Sequence, residues 1–202
     1  MIRVMRNLCA MLLAAALLFT GCGEGTPDPQ ETVATEESVP TSFALGGTLP
    51  ELTFTDAQGT EFCVQDILEE KKLVVLNFWF AECGWCRKEF PVMEVAYQYF
   101  REDVEILAVN PYDSQEVITA FQKENGLTFP MLSCYEDLAD AFGVNGYPTS
   151  VCIDREGKIS LIHAGAITDA QVFESLFETY TQEGYRSRVY NSIYEIIQSA
   201  DE

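Results

Sequence analysis

Leu73-Val74-Val75-Leu76-Asn77-Phe78-Trp79-Phe80-Ala81-Glu82-Cys83-Gly84-Trp85-Cys86 is the stretch on which the reading of this chain turns. Leu73 to Phe80 is an apolar run of strand length, broken only by Asn77, the pattern of a strand covered on both faces of a sheet. Cys83 and Cys86 then fall where a helix is expected to start and run toward Phe100, with Pro91 kinking it. Thiol–disulfide exchange needs an attacking thiolate, a second thiol close enough to resolve the mixed disulfide, and a stabilised negative charge on the first sulfur. A two-residue spacer on a first helical turn brings the sulfurs within bonding distance. The exposed amides and dipole of the helix N-terminus favour a thiolate on Cys83. On this reading Cys83 is the nucleophile and Cys86 resolves. Glu82 opposes thiolate formation by its charge, or relays protons. A zinc half-site competes for the pair, but zinc wants a second closely spaced Cys or His pair, and Cys63, Cys134, Cys152 and His163 are scattered. A purely structural disulfide also competes, although so small a loop adds little stability.

Working outward, Gly59 lies between Leu52–Thr55 and Glu61–Val64, a hairpin-like pair. Val104–Val109 is the next strand. Asp113 or Ser114 caps a helix carrying Val117, Ile118 and Phe121 and closed by Asn125-Gly126. Phe129–Leu132 is extended and Glu136–Phe142 is a short helix. Thr149–Asp154 and Lys158–Ala164 flank a turn at Glu156-Gly157, and Thr168–Tyr180 is a final helix. Strands separated by helices and ending in a hairpin imply an α/β sheet with helices on both faces.

The chain has 202 residues, 48% apolar and 22% charged, the balance of a folded protein of one domain plus accessories. Its 32 acids against 12 bases leave a net charge of −20, which repels phosphate backbones and sets nucleic acid aside as a partner. Residues 1–21 read as a secretory leader: Arg3 and Arg6 form a positive start, and Leu8 to Phe19 an apolar stretch too short for the about 20 residues that span a bilayer. Thr20-Gly21-Cys22 resembles a bacterial lipobox, with cleavage before Cys22 and lipidation of that residue; ordinary secretion with release is the other reading. Several acyl chains on Cys22 would hold the protein at a membrane. Losing residues 1–21 removes Arg3, Arg6 and Cys9 but no acid, which takes the charge from −20 to −22. Residues 22–42, rich in proline and acid and without Lys or Arg, read as a flexible linker, followed by a folded domain over 43–182. In residues 183–202, Tyr185, Val189, Ile193 and Ile197 recur every four positions. They read as an extra C-terminal helix, packed on the domain or binding a partner.

The segment Leu76 to Pro91 resembles the active-site segment of the thioredoxin superfamily, and most resembles the extracytoplasmic, membrane-anchored TlpA/ResA-like disulfide reductases. The resemblance runs from Leu45 to Tyr180. It takes in Leu49-Pro50, Asp56–Gly59, Gly143-Val144-Asn145-Gly146-Tyr147-Pro148-Thr149 and Ile153–Ile159. It implies a thioredoxin-like fold with a central mixed sheet flanked by helices and an added N-terminal β-hairpin. It also implies a cis Pro148 facing the disulfide, and a Tyr147 backbone that pairs with substrate. Trp79, Gly84 and Trp85 join them as active-site support. No cofactor or metal is implied beyond the redox-active Cys83–Cys86 disulfide. Three positions depart from the classical pattern. Asn77 stands where thioredoxins have a buried Asp, so that a proton relay must use water or Glu82. Trp85 replaces the usual Pro, and Tyr147 is bulkier than the usual Ile or Val and narrows the groove. Cys152 reads as a small buried hydrophobe, while Cys63 and Cys134 pair or stay free. His163 reads as a strand residue without a catalytic partner.

The resulting expectation is a tethered extracytoplasmic oxidoreductase that reduces disulfides of exported proteins. By resemblance, a CcdA-like membrane thiol transporter recharges it. An oxidase or isomerase uses the same site in the opposite direction, since related motifs span about −120 to −270 mV. A peroxidase lacks its Pro- and Thr-bearing loop here. A copper-binding or partner-binding module is the non-enzymatic alternative.

Overall fold

The computed structural model describes residues 43–182. The leader, Cys22, the linker and the stripe from Tyr185 to Ile197 lie outside the described residues.

Two short strands, β1 (Thr53–Thr55) and β2 (Glu61–Cys63), pair antiparallel as the N-terminal hairpin. Its turn is closed by Asp56, whose Oδ1 accepts the N–H groups of Gln58 and Thr60 at 2.8 Å each, with Gly59 at φ +82°. Helix α1 (Val64–Glu70) follows directly, where the sequence reading placed the end of a strand and no helix. Its cap, Cys63, makes no side-chain cap bond, so the usual start signal is missing. The helix is held instead by burying Val64 and Leu68, one turn apart.

The central sheet has the order β5-β4-β3-β6-β7. β3 (Leu73–Phe78), β4 (Val104–Asn110) and β5 (Met131–Ser133) run parallel; β6 (Thr149–Asp154) and β7 (Ile159–Ala164) are antiparallel additions. All six residues of β3 are buried, as a central strand covered on both faces requires. Alternation divides them between two cores. Leu73 and Val75 pack beneath α2 (Gly84–Phe100), α3 (Gln115–Asn125) and α5 (Ala170–Thr181), while Val74, Leu76 and Phe78 pack with Phe54 of the hairpin, α1 and α4 (Glu136–Ala141).

Helix α2 runs unbroken through Pro91, and α5 lies along it, with Phe100 and Phe177 in edge contact. Ser114 caps α3 by accepting the N–H of Val117, and Gly126 ends that helix at φ +63°, where a side chain would be strained. The parallel strands β3 and β4 and the antiparallel β6 bring three loops to one edge of the sheet: that after Phe78, that after Asn110, and that before Thr149.

Candidate active site

The Cys83-Gly84-Trp85-Cys86 motif sits at that edge, straddling the start of α2. Cys83 is the N-cap residue, in an extended conformation, and its Sγ accepts the Cys86 N–H at 3.1 Å. The two sulfurs are joined as a disulfide, S–S 2.01 Å with Cα atoms 5.3 Å apart. Cys83 is 5% exposed and Cys86 fully buried, so of the two only Cys83 keeps any contact with solvent. The turn before the helix is fixed by the Cys83 N–H to the Phe80 carbonyl at 3.1 Å and by Arg87, whose Nε donates to the Ala81 carbonyl at 2.9 Å.

Beneath the motif lies a buried polar pair, Asn77, which the sequence reading singled out, and Glu89, which it did not. Asn77, on the β3 face that points toward α2, donates from Nδ2 to Glu89 Oε2 at 2.9 Å and to Ser150 Oγ at 3.0 Å. The other carboxyl oxygen, Oε1, accepts the Ile167 N–H at 2.9 Å. Glu89 is fully buried, and it follows Cys86 by three residues on the same helix, which sets both on neighbouring parts of one face. Burial raises its pKa from 4.5 to about 7, against the lowering effect of the Ile167 and Asn77 hydrogen bonds. A carboxyl that titrates near neutrality, one helical turn beyond a redox thiol, is placed to exchange a proton with it. Helical spacing was the signal for it: Cys86, Glu89, Phe90 and Met93 form one continuous buried face.

The remaining predicted residues are distributed as follows. Trp79 is buried between Phe90 and Phe121, with ring centroids at 5.2 and 4.8 Å, and braces the motif from below. Trp85 is 59% exposed, and the Lys88 ammonium stands 4.1 Å from its ring centroid. Gly84 opens the helix with nothing within 4 Å of where a Cβ would stand. Glu82 faces solvent, 3.7 Å from Arg87. The relay role read for it therefore falls on a side chain turned away from the interior, whereas Glu89 faces inward. The Tyr147–Pro148 peptide is cis, and Thr149 opens β6 directly opposite Phe78. Tyr147 Oη is 3.1 Å from Tyr112 Oη, and burial is the main reason its ionisation is pushed well above the usual phenol range.

Residues 45–162 match the model of the AhpC/TSA family. The "Thiol-disulfide oxidoreductase ResA" of Geobacillus thermodenitrificans is 34% identical over 175 residues, covering 86% of this chain and 93% of that protein. The chain belongs to this family of thiol-disulfide oxidoreductases. A second ResA thiol-disulfide oxidoreductase, from Bacillus subtilis, is 33% identical over 135 residues, 66% of this chain and 74% of the relative. Among solved structures, the thioredoxin domain of a thiol-disulfide oxidoreductase from Bacteroides vulgatus superposes with a TM-score of 0.58 at 25% identity, over 69% of this chain and all of that one. A ResA-like enzyme of this fold works through a redox disulfide, and the only disulfide among the described residues is Cys83–Cys86. The other described cysteines, Cys63, Cys134 and Cys152, are free thiols. Burial pushes Cys134 and Cys152 up to about 12. No cluster of three metal-ligating side chains occurs among the described residues, and none of their helices is long and apolar enough to cross a membrane.

Proposed function

We propose that this chain is an extracytoplasmic, membrane-tethered reductase of disulfides in exported proteins, with Cys83 as nucleophile and Cys86 as resolving thiol. The observation that carries the assignment of roles is the asymmetry of the pair. Cys83 is the less buried of the two, and its Sγ receives the Cys86 amide at the helix N-terminus, which stabilises a thiolate there, while the fully buried Cys86 has no access to a substrate. In the reduced protein the Cys83 thiolate attacks one sulfur of a substrate disulfide, forming a mixed disulfide and releasing one substrate thiolate. Cys86 then loses its proton to the Glu89 carboxylate and attacks the Cys83 sulfur. The second substrate thiolate leaves, and the motif disulfide closes. Two electrons pass to the substrate, and a thiol donor must return them.

Tethering is supported by the apolar leader ending in Thr20-Gly21-Cys22 and by the acidic linker of residues 22–42, and a CcdA-like membrane donor would fit that location. Cys83→Ser abolishes reduction of insulin disulfides, whereas Cys86→Ser accumulates a mixed disulfide; full activity in Cys83→Ser would overturn the assignment. Direction is read from the reduction potential of the pair. A value near or below about −220 mV makes the protein a reductant, and one above about −180 mV makes it an oxidase or isomerase.

A further inference from the structure

Beside the redox pair stands a wall of three aromatic rings built from separate loops. Phe80 ends the segment after β3, Tyr112 follows β4, and Tyr147 precedes the cis proline. Phe80 meets Tyr112 at 5.9 Å and Tyr147 at 5.3 Å between centroids, and Tyr112 meets Tyr147 at 5.6 Å, all edge to face. Tyr112 remains 56% exposed, so the wall presents ring surface outward instead of completing a core.

Its position is fixed relative to the sulfurs. Asn110 Oδ1 accepts the N–H groups of Tyr112 and Asp113 at 2.9 Å each. Asp113 Oδ2 in turn accepts Asn110 Nδ2 at 2.8 Å and the Ala81 N–H at 2.7 Å. The loop carrying Tyr112 is thus tied directly to the turn that positions Cys83. A preset aromatic surface costs a ligand little ordering. The cations nearest the motif in sequence are engaged elsewhere: Arg87 on the Ala81 carbonyl, on Glu82 and over the Phe121 ring, and Lys88 over Trp85. What the wall offers a substrate is therefore apolar ring area and the two tyrosine hydroxyls, 3.1 Å apart.

We infer that Tyr112 is a specificity-determining residue, which with Phe80 and Tyr147 receives a large apolar or aromatic side chain flanking the substrate cysteine. The preferred substrate is then a polypeptide disulfide with a bulky apolar neighbour, over one flanked by small polar residues. The inference rests on the oxidoreductase reading above and names the substrate class of that site.

The test uses the pre-reduced full chain and two disulfide-linked peptides identical except for Phe or Ser next to the cysteine, with second-order rates followed by tryptophan fluorescence. The wild type is expected to prefer the Phe peptide by about tenfold, equivalent to about 1.4 kcal/mol. Tyr112→Ala brings the two rates within about twofold by slowing the Phe peptide, with the reduction potential of the pair unchanged. Tyr112→Phe, which keeps the ring and removes the hydroxyl, retains the preference. Equal wild-type rates, or a preference that survives Tyr112→Ala, overturn the inference alone. A wild type that reduces neither peptide overturns the oxidoreductase reading and this inference with it.

Discussion

Replacing Glu89 by Gln tests the buried carboxyl most directly, because the exchange keeps its shape and removes its charge. Oε1 of the new amide can still accept the Ile167 N–H. The Asn77 amide, by turning over, can present an oxygen to the new Nε2 and accept from the Ser150 hydroxyl. The variant is therefore expected to fold. The sign of its effect follows from the pKa. Glu89 rises from 4.5 in an unfolded chain to about 7 in the fold, so between those values the folded state holds the extra proton. The stability it contributes is fully present below about 4.5 and is lost as pH rises through about 7. At 1.36 kcal/mol per tenfold in proton affinity, the gap between 4.5 and about 7 amounts to about 3 kcal/mol.

Urea denaturation of both proteins at pH 4.5, 6 and 8, with the motif disulfide intact, isolates this contribution, since every other carboxylate cancels in the difference. Glu89→Gln is expected to match the wild type at pH 4.5 and to exceed it by up to about 3 kcal/mol at pH 8. A variant that is less stable than wild type at pH 8, or a difference that does not change with pH, would refute the claim that the buried carboxyl ionises near neutrality. The same variant reports on chemistry. If Glu89 takes the proton of Cys86, release of the mixed disulfide slows by about a hundredfold and loses its inflection near pH 7. A purely structural carboxyl would change stability and leave that pH profile in place.

Phe90→Ala removes the ring that touches Trp79, Phe121 and Phe129, and is expected to cost about 3 to 5 kcal/mol in urea denaturation, with red-shifted emission from Trp79. Ser114→Ala deletes the α3 cap and is expected to cost about 1 kcal/mol; an unchanged urea midpoint would show the cap to be inert. In the oxidised native protein at pH 8, iodoacetamide should leave Cys134 and Cys152 unmodified, because thiols pushed up to about 12 are ionised to about one part in ten thousand there. Denaturant exposes both, and rapid native labelling of Cys134, read by mass spectrometry of its peptide, would contradict its burial.

What was legible in the sequence and what was not separate along a physical line. The strand from Leu73 and the two cysteines were readable because a doubly covered strand is a continuous run, and because the exchange chemistry needs two thiols a fixed distance apart along one helix. Helix α1 was missed because seven residues with an uncapping Cys63 give no local signal; burial of Val64 and Leu68 holds it. Glu89 was missed because it follows two cations, Arg87 and Lys88, within the expected helix, and only the register of α2 turns it inward. Glu82, adjacent to Cys83 in sequence, attracted the proton-relay role that proximity along the chain suggests. Glu82 lies in the turn before the helix with its side chain in solvent, whereas the helical residue two turns later faces inward on the side of the buried thiol. Tyr112 lies still further from any local signal. Asn110-Pro111-Tyr112-Asp113 is an ordinary loop until the parallel pairing of β3 with β4 sets it beside Phe80 and the Asp113 carboxylate fastens it to Ala81. Residues that make covalent chemistry must be neighbours in sequence when they share one helical turn, whereas those that shape the substrate surface are gathered only by strand order, which sequence periodicity does not encode.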